Sequence, residues 1–192
     1  KGYLSLVLHA HLPYVRHPEY TFSLEEKWLF EAITETYLPL LAVFRRLEQD
    51  QIDYQITISI SPTLAAMWQD DYIKEKYRGY LLRLLDLADK EVNRTAGDPD
   101  FSPLSRHYRH FFQQAHHDFF EHYHADLVSA FRGIAAAGHV ELITSAATHG
   151  YLPLLHAQPE AVYAQLYTAV EQHNRLFGKP PLGIWLPECA YD

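Results

Sequence analysis

The sequence predicts an α/β fold built on a parallel sheet, and three observations support that prediction. Short, largely apolar runs recur at Tyr3 to His9, Tyr54 to Ile60, Val140 to Ile143 and Leu182 to Leu186. Stretches with helical spacing of apolar residues separate them. Tyr54 to Ile60 alternates and is β-branched, while the other runs are largely continuous in apolar residues, as expected of a parallel sheet with helices on both faces.

Tyr3 to His9 is rich in Leu and Val and breaks at Pro13 into a loop carrying Tyr14, Arg16, His17 and Pro18, longer than a simple connector needs. Ser23 and Glu26 have the spacing of a capping box, in which a cap hydroxyl and a carboxylate three residues on bond each other's backbone N–H. Trp28, Ala32, Ile33, Leu40, Leu41, Phe44 and Leu47 follow at helical spacing, so a helix covers this stretch. Tyr54 to Ile60 is rich in β-branched residues and stops at Ser61-Pro62. Helical periodicity then resumes and runs to about Val92.

Asn93 to Asp100 is a polar break. Ser102 as cap and Pro103 as first helical residue then predict the longest helix of the chain. Its buried stripe would be Leu104, Tyr108, Phe111, Ala115, Phe119, Tyr123, Leu127, Phe131 and Ile134. Gly138 suits the left-handed position that ends such a helix, before the strand Val140 to Ile143. Pro159 at the start, and Gly178 with Pro180 past the end, bracket a last helix before Leu182 to Leu186. Right-handed crossovers between these strands give a single domain over residues 1–192. Four strands do not close a barrel and no helix follows the fourth, so the chain is expected to be truncated, the N-terminal portion of a larger sheet.

Composition narrows the partners. A content of 48% hydrophobic residues supports a substantial core, and a net charge of −8 argues against nucleic acid, whose phosphates need clustered Lys and Arg. A neutral ligand is expected. The lone Cys189 cannot form an internal disulfide, and no signal-sequence pattern opens the chain, so a cytoplasmic location is expected. No apolar run reaches the roughly 18 residues that a membrane helix needs, so no membrane partner is expected.

In parallel α/β folds ligands bind outside the carboxyl ends of the strands. The residues falling there are His9 and His11, then Ser59 and Ser61, then His149, then Glu188. Glu188 follows Trp185, Leu186 and Pro187, where the indole could wall an apolar pocket and a carboxylate suits nucleophilic or acid/base work; a helix cap or an Arg partner is the plainer alternative. His9 and His11, two apart on a strand, share one face and could equally hold a divalent metal with His149, the pattern of a metal-dependent hydrolase or deacetylase. No Asp or Lys at a matching exit completes that set. His107, His110, His116, His117, His122 and His124 flank the stripe of one helix and read as a solvated face, and HDFFEH lacks the spacing of a zinc protease. Tyr108, Phe111, Phe119 and Phe131 read as core, while Trp28 is divided between core and a sugar-stacking platform.

Three stretches in order, His9-Ala10-His11-Leu12-Pro13-Tyr14, Thr144 to Gly150 and Trp185-Leu186-Pro187-Glu188-Cys189, resemble glycoside hydrolase family 57. Trp28 to Leu41 adds a fourth, nearest to that family's 1,4-α-glucan branching enzymes. The resemblance implies a seven-stranded β/α barrel of TIM-like type and a retaining double displacement on α-1,4-glucan. It also implies that there is no metal or other cofactor and that Glu188 is the nucleophile. It makes His9, His11 and His149 contacts to the sugar, with Trp28 and Trp185 beside it. The family's acid/base aspartate is expected beyond residue 192, so this chain alone should be catalytically silent and its partners are an α-glucan and the remainder of the catalytic chain. Hydrolysis by an α-amylase, disproportionation by a 4-α-glucanotransferase, and a non-catalytic glucan-binding piece are the alternatives.

Overall fold

The computed structural model describes residues 2–192. Three parallel strands, β1 (Val7–Ala10), β2 (Ile56–Ile60) and β3 (Val140–Ile143), pair in the order β1-β2-β3. His9 lies opposite Ser59, and Ser59 opposite Ile143, so the carboxyl ends of the strands come level. This register explains why the first strand starts later than its apolar run. With Val7 opposite Thr57, Tyr3 and Leu4 would face Asp53 and Tyr54, ahead of β2.

The fourth run, Leu182 to Leu186, forms only a single parallel bridge, Ile184 to Thr144. Thr144 donates its N–H to Gly183 O and accepts that of Trp185. Pro180 and Pro181 before the run and Pro187 after it leave few donors to extend a ladder, and Leu182 is 82% exposed.

Between β1 and β2, α1 (Leu24–Ala32), a π-turn at Ile33–Tyr37 and α2 (Leu38–Gln49) form one continuous rod. Pro39 has no N–H for the helical ladder, and the widened turn lies just ahead of it. Ser23 Oγ accepts the Glu26 N–H, but the Glu26 carboxylate does not return to the cap as a capping box requires. Instead it is buried, accepting the His17 N–H at 2.8 Å and pairing with Lys76 at 2.6 Å, which ties down the loop after β1.

Two of the expected helices are divided. After β2 the periodicity splits at Asp70, whose carboxylate accepts the N–H groups of Tyr72 and Ile73, separating α3 (Pro62–Gln69) from α4 (Asp71–Arg94). The predicted longest helix is α5 (Phe101–His116), a π-turn at His117–His122 and α6 (Leu127–Ala136), with His124 and Ala125 in left-handed conformation between. Its start is capped by Asp98, which accepts from Asp100 and Phe101, rather than by Ser102. The break changes the stripe: Phe119 and Phe131 are buried, Phe111 is partly covered, and Tyr108 is 48% exposed. α5 packs along α4, and of its histidine series only His116 is partly covered.

β3 leads through α7 (Leu152–Leu155) to α8 (Pro159–Phe177), closed by Gly178 at φ 78°. The core joins Leu29, Phe44, Ile58, Leu64, Trp68 and Phe131 beneath the sheet ends. Trp68 stacks on Phe131 with centroids 5.3 Å apart and meets Tyr37 edge-on. Among the described residues no helix is long and apolar enough to cross a membrane.

Candidate active site

The site grows from the alternation of β1. His9 and His11 project to one side of the strand, and Ser59 and Ser61 repeat that two-residue spacing on β2 and just past it. His9 Nδ1 lies 3.2 Å from Ser59 Oγ and His11 Nδ1 lies 3.0 Å from Ser61 Oγ. Both serines are fully buried. Ser61 also caps α3, accepting the Leu64 N–H.

His149 enters from the loop after β3. Its ring stacks on His11 with centroids 3.6 Å apart and planes 8° from parallel, and its Nε2 lies 3.1 Å from His9 Nε2. The loop is anchored by Gln165 of α8, which accepts the Thr148 N–H and donates to the Thr148 hydroxyl. Trp185 stacks on His9 at 5.8 Å, held by its N–H on Thr144 O and by Ser145 Oγ donating to its own carbonyl.

Glu188 sits in a 3-10 turn, Pro187–Cys189, at φ 55° and ψ 22°. Its side chain is 73% exposed and its Oε1 lies 3.8 Å from Nδ1 of His149, whose side chain is 8% exposed. His149, Glu188 and Cys189 all hold left-handed backbone, which costs a non-glycine residue about 1–3 kcal/mol and tends to mark functional sites.

Burial lowers the pKa of all three histidines. His11 is pushed down to about 4, with His149 and His9 adding to the effect of burial. For His9 and His149 the charge of Glu188 works the other way. Near neutral pH the site therefore presents uncharged imidazoles beside an exposed carboxylate. Among the described residues no group of three or more His, Cys, Asp or Glu is disposed to hold a metal ion. The near-parallel rings of His11 and His149 explain this, because lone pairs in stacked planes do not converge on one point.

The structure thus brings His9, His11, His149, Trp185 and Glu188 together. It does not bring Trp28 to them: Trp28 is 47% exposed on α1 and shares no ring or hydrogen-bond contact with the group among the described residues. Ser145 lies in the Thr144 to Gly150 stretch, whereas Gln165 and Thr63, which hold the site's loops, carry no periodic or motif signal by which the sequence could single them out.

This α/β protein gathers a carboxylate, imidazoles and an indole at the carboxyl ends of parallel strands, the place where such folds bind ligands. The sequence profile of glycosyl hydrolase family 57 matches residues 5–192, and the chain belongs to that family. It is 42% identical over its whole length to the 1,4-alpha-glucan branching enzyme TK1436 of Thermococcus kodakarensis, of which it spans 27%. The crystal structure of TK1436 in complex with glucose superposes at a TM-score of 0.91 and 40% identity, over 99% of this chain and 34% of that one. The alpha-amylase AmyC of Thermotoga maritima superposes at 0.90 and 42% identity, over 97% of this chain and 35% of that one. The chain therefore spans about a quarter to a third of the relatives it resembles.

Proposed function

We propose that residues 1–192 are the N-terminal portion of a catalytic β/α barrel of seven strands, and that the whole protein is a 1,4-α-glucan branching enzyme acting with retention. One observation carries the reading: in a family 57 chain whose similar proteins include a branching enzyme, Glu188 Oε1 is exposed 3.8 Å from the neutral His149, above the strand ends. The open edge of β1, with Leu4 and Leu6 exposed beside it, fits a sheet continued by further strands.

In this mechanism a Glu188 oxygen attacks the anomeric carbon of a glucosyl unit and the bond to the leaving O4 breaks, O4 taking a proton from an acid supplied by chain beyond residue 192. Retaining enzymes hold the two carboxyl groups about 5–5.5 Å apart. A glucan 6-hydroxyl then attacks the same carbon, gives its proton to that base and releases Glu188, forming an α-1,6 link. His9, His11 and His149 contact sugar hydroxyls, Trp185 offers an apolar face to the ring, and Trp28 serves a more distant sugar unit. The 192-residue chain alone is inactive for want of the acid.

The likeness to AmyC favours a second reading, in which water replaces the 6-hydroxyl and the outcome is hydrolysis. The test uses the whole protein, wild type and Glu188→Gln, with amylose, followed by debranching and chain-length analysis. New α-1,6 branches lost in the variant are expected. Reducing ends without branches would move the reading to hydrolysis, and activity persisting in the variant would remove Glu188 as nucleophile.

A further inference from the structure

We propose that Ser59 is a positioning residue that sets the direction of a hydrogen-bond chain ending at His149, beside Glu188, and so decides which nitrogen of His149 carries its proton. The proposal rests on the glycosidase reading above.

Ser59 is fully buried and has one hydroxyl proton. Its Oγ lies 3.2 Å from Thr144 O, and a carbonyl oxygen can only accept, so the proton goes there. That carbonyl is fixed in turn by the Trp185 N–H at 2.9 Å. The contact of 3.2 Å between His9 Nδ1 and Ser59 Oγ can then be a hydrogen bond only if His9 donates, which places the His9 proton on Nδ1 and leaves Nε2 as an acceptor. His9 Nε2 receives the Nε2–H of His149 across 3.1 Å. Neutral His149 thus has no proton left for Nδ1, the atom 3.8 Å from Glu188 Oε1. The carboxylate meets a lone pair rather than an N–H and keeps its full charge for attack.

The surroundings support this direction. Besides each other, His9 and His149 face His11, Trp185 and Glu188, of which Glu188 is the charged one. A doubly protonated His9 would force the opposite tautomer on His149, and burial disfavours that form. His11 is fixed in the same sense. Thr63 donates to Leu12 O, so the Ser61 hydroxyl donates to Thr63 and accepts from His11 Nδ1. Both histidines therefore hold their proton on Nδ1; Nε2 of His9 is taken by His149, and that of His11 is left as an acceptor to whatever lies above the sheet.

Without the Ser59 hydroxyl His9 is free to carry its proton on Nε2. His149 must then accept at Nε2 and hold its proton on Nδ1, donating towards Glu188 and weakening the nucleophile. The whole protein is compared as wild type, Ser59→Ala and Ser59→Thr, with two readouts: the tautomers of His9 and His149 from their ring nitrogen chemical shifts, and kcat and KM on amylose across pH. We expect Nδ1–H on His9 and Nε2–H on His149 in the wild type. Ser59→Ala should reverse both and lower kcat on the order of tenfold or more, as loss of a tautomer-fixing partner does. KM should stay close to the wild-type value, and Ser59→Thr should restore both tautomers and rate. Unchanged tautomers or unchanged kcat in a folded Ser59→Ala protein would overturn the proposal. Should that variant not fold, Nε2–H on His9 in the wild type alone would overturn it. Absence of glucan chemistry in the wild type would remove the glycosidase reading, while the expected tautomers would still uphold the chain of bonds.

Discussion

His149 Nδ1 and Glu188 Oε1 approach to 3.8 Å, and each belongs to a residue held in left-handed backbone. The two come from different strand exits, one after β3 and one after the bridge at Ile184, so the contact depends on both turns. Replacing His149 with Ala in the whole protein should lower kcat/KM on amylose by about tenfold or more, the scale of a positioned polar partner near developing charge. Unaltered turnover would take His149 out of the reaction.

The site histidines give stability a pH dependence of definite sign. Burial lowers their folded pKa values, so as pH falls the unfolded chain takes up protons before the folded one does. Their contribution is complete above the ordinary imidazole value near 6.5 and is lost as pH drops towards the folded values, about 4 for His11. Tm should therefore fall on acidification through this window, and less steeply in His11→Gln. An equal slope in wild type and variant would contradict the assignment to His11.

His11 serves both as a stacking partner and as a hydrogen-bonding group, and the two roles separate in one substitution. His11→Phe keeps a flat ring against His149 while removing both nitrogens. Thermal stability should change little, whereas kcat/KM should fall about tenfold, as for loss of one or two polar contacts. Unchanged kcat/KM would leave the stacking alone as the function of His11.

Glu26 should matter to stability far more than its place on a helix suggests. It is buried, pairs with Lys76 at 2.6 Å and accepts the His17 N–H. Glu26→Ala leaves the His17 N–H without its acceptor and takes the carboxylate from Lys76, which keeps the Tyr20 and His17 carbonyls, and should cost about 1–3 kcal/mol in urea unfolding, the scale of a buried donor left unsatisfied. A loss below about 1 kcal/mol would class the pair with surface ion pairs.

Prolonged chelation should leave glucan chemistry of the whole protein intact. The stacked planes of His11 and His149 do not aim lone pairs at a common centre. Activity lost on chelation and regained with a divalent cation would restore the metal reading of the His9 and His11 pair.

The helix–strand alternation and the polar residues at strand exits were legible because short apolar or β-branched runs stand apart from stretches of helical spacing, and because strand ends are where backbone and side chains turn outward. The breaks at Asp70 and at His124-Ala125 were not. A carboxylate cap inside an unbroken apolar stripe looks like a surface residue, and left-handed non-glycine residues carry no compositional mark. The same limit applies to Ser23 and Glu26, whose spacing signals a capping box while tertiary packing draws the carboxylate to Lys76. In the site, the gathering of His9, His11, His149, Trp185 and Glu188 followed from strand exits and motif, whereas Trp28 lies apart from them. The ties from Gln165 and Thr63 depend on three-dimensional neighbours that no spacing announces.

The consecutive left-handed residues Glu188 and Cys189 have a consequence for protein engineering. Glycine adopts that conformation freely, so Glu188→Gly is expected to melt no lower than wild type, and by relief of strain up to a few degrees higher, while abolishing the proposed reaction. A heat-challenge screen that scores only surviving soluble protein would then enrich dead variants at this turn. Selection for thermal robustness in this fold has to read product formation alongside melting, or it will erode the seat of the carboxylate first.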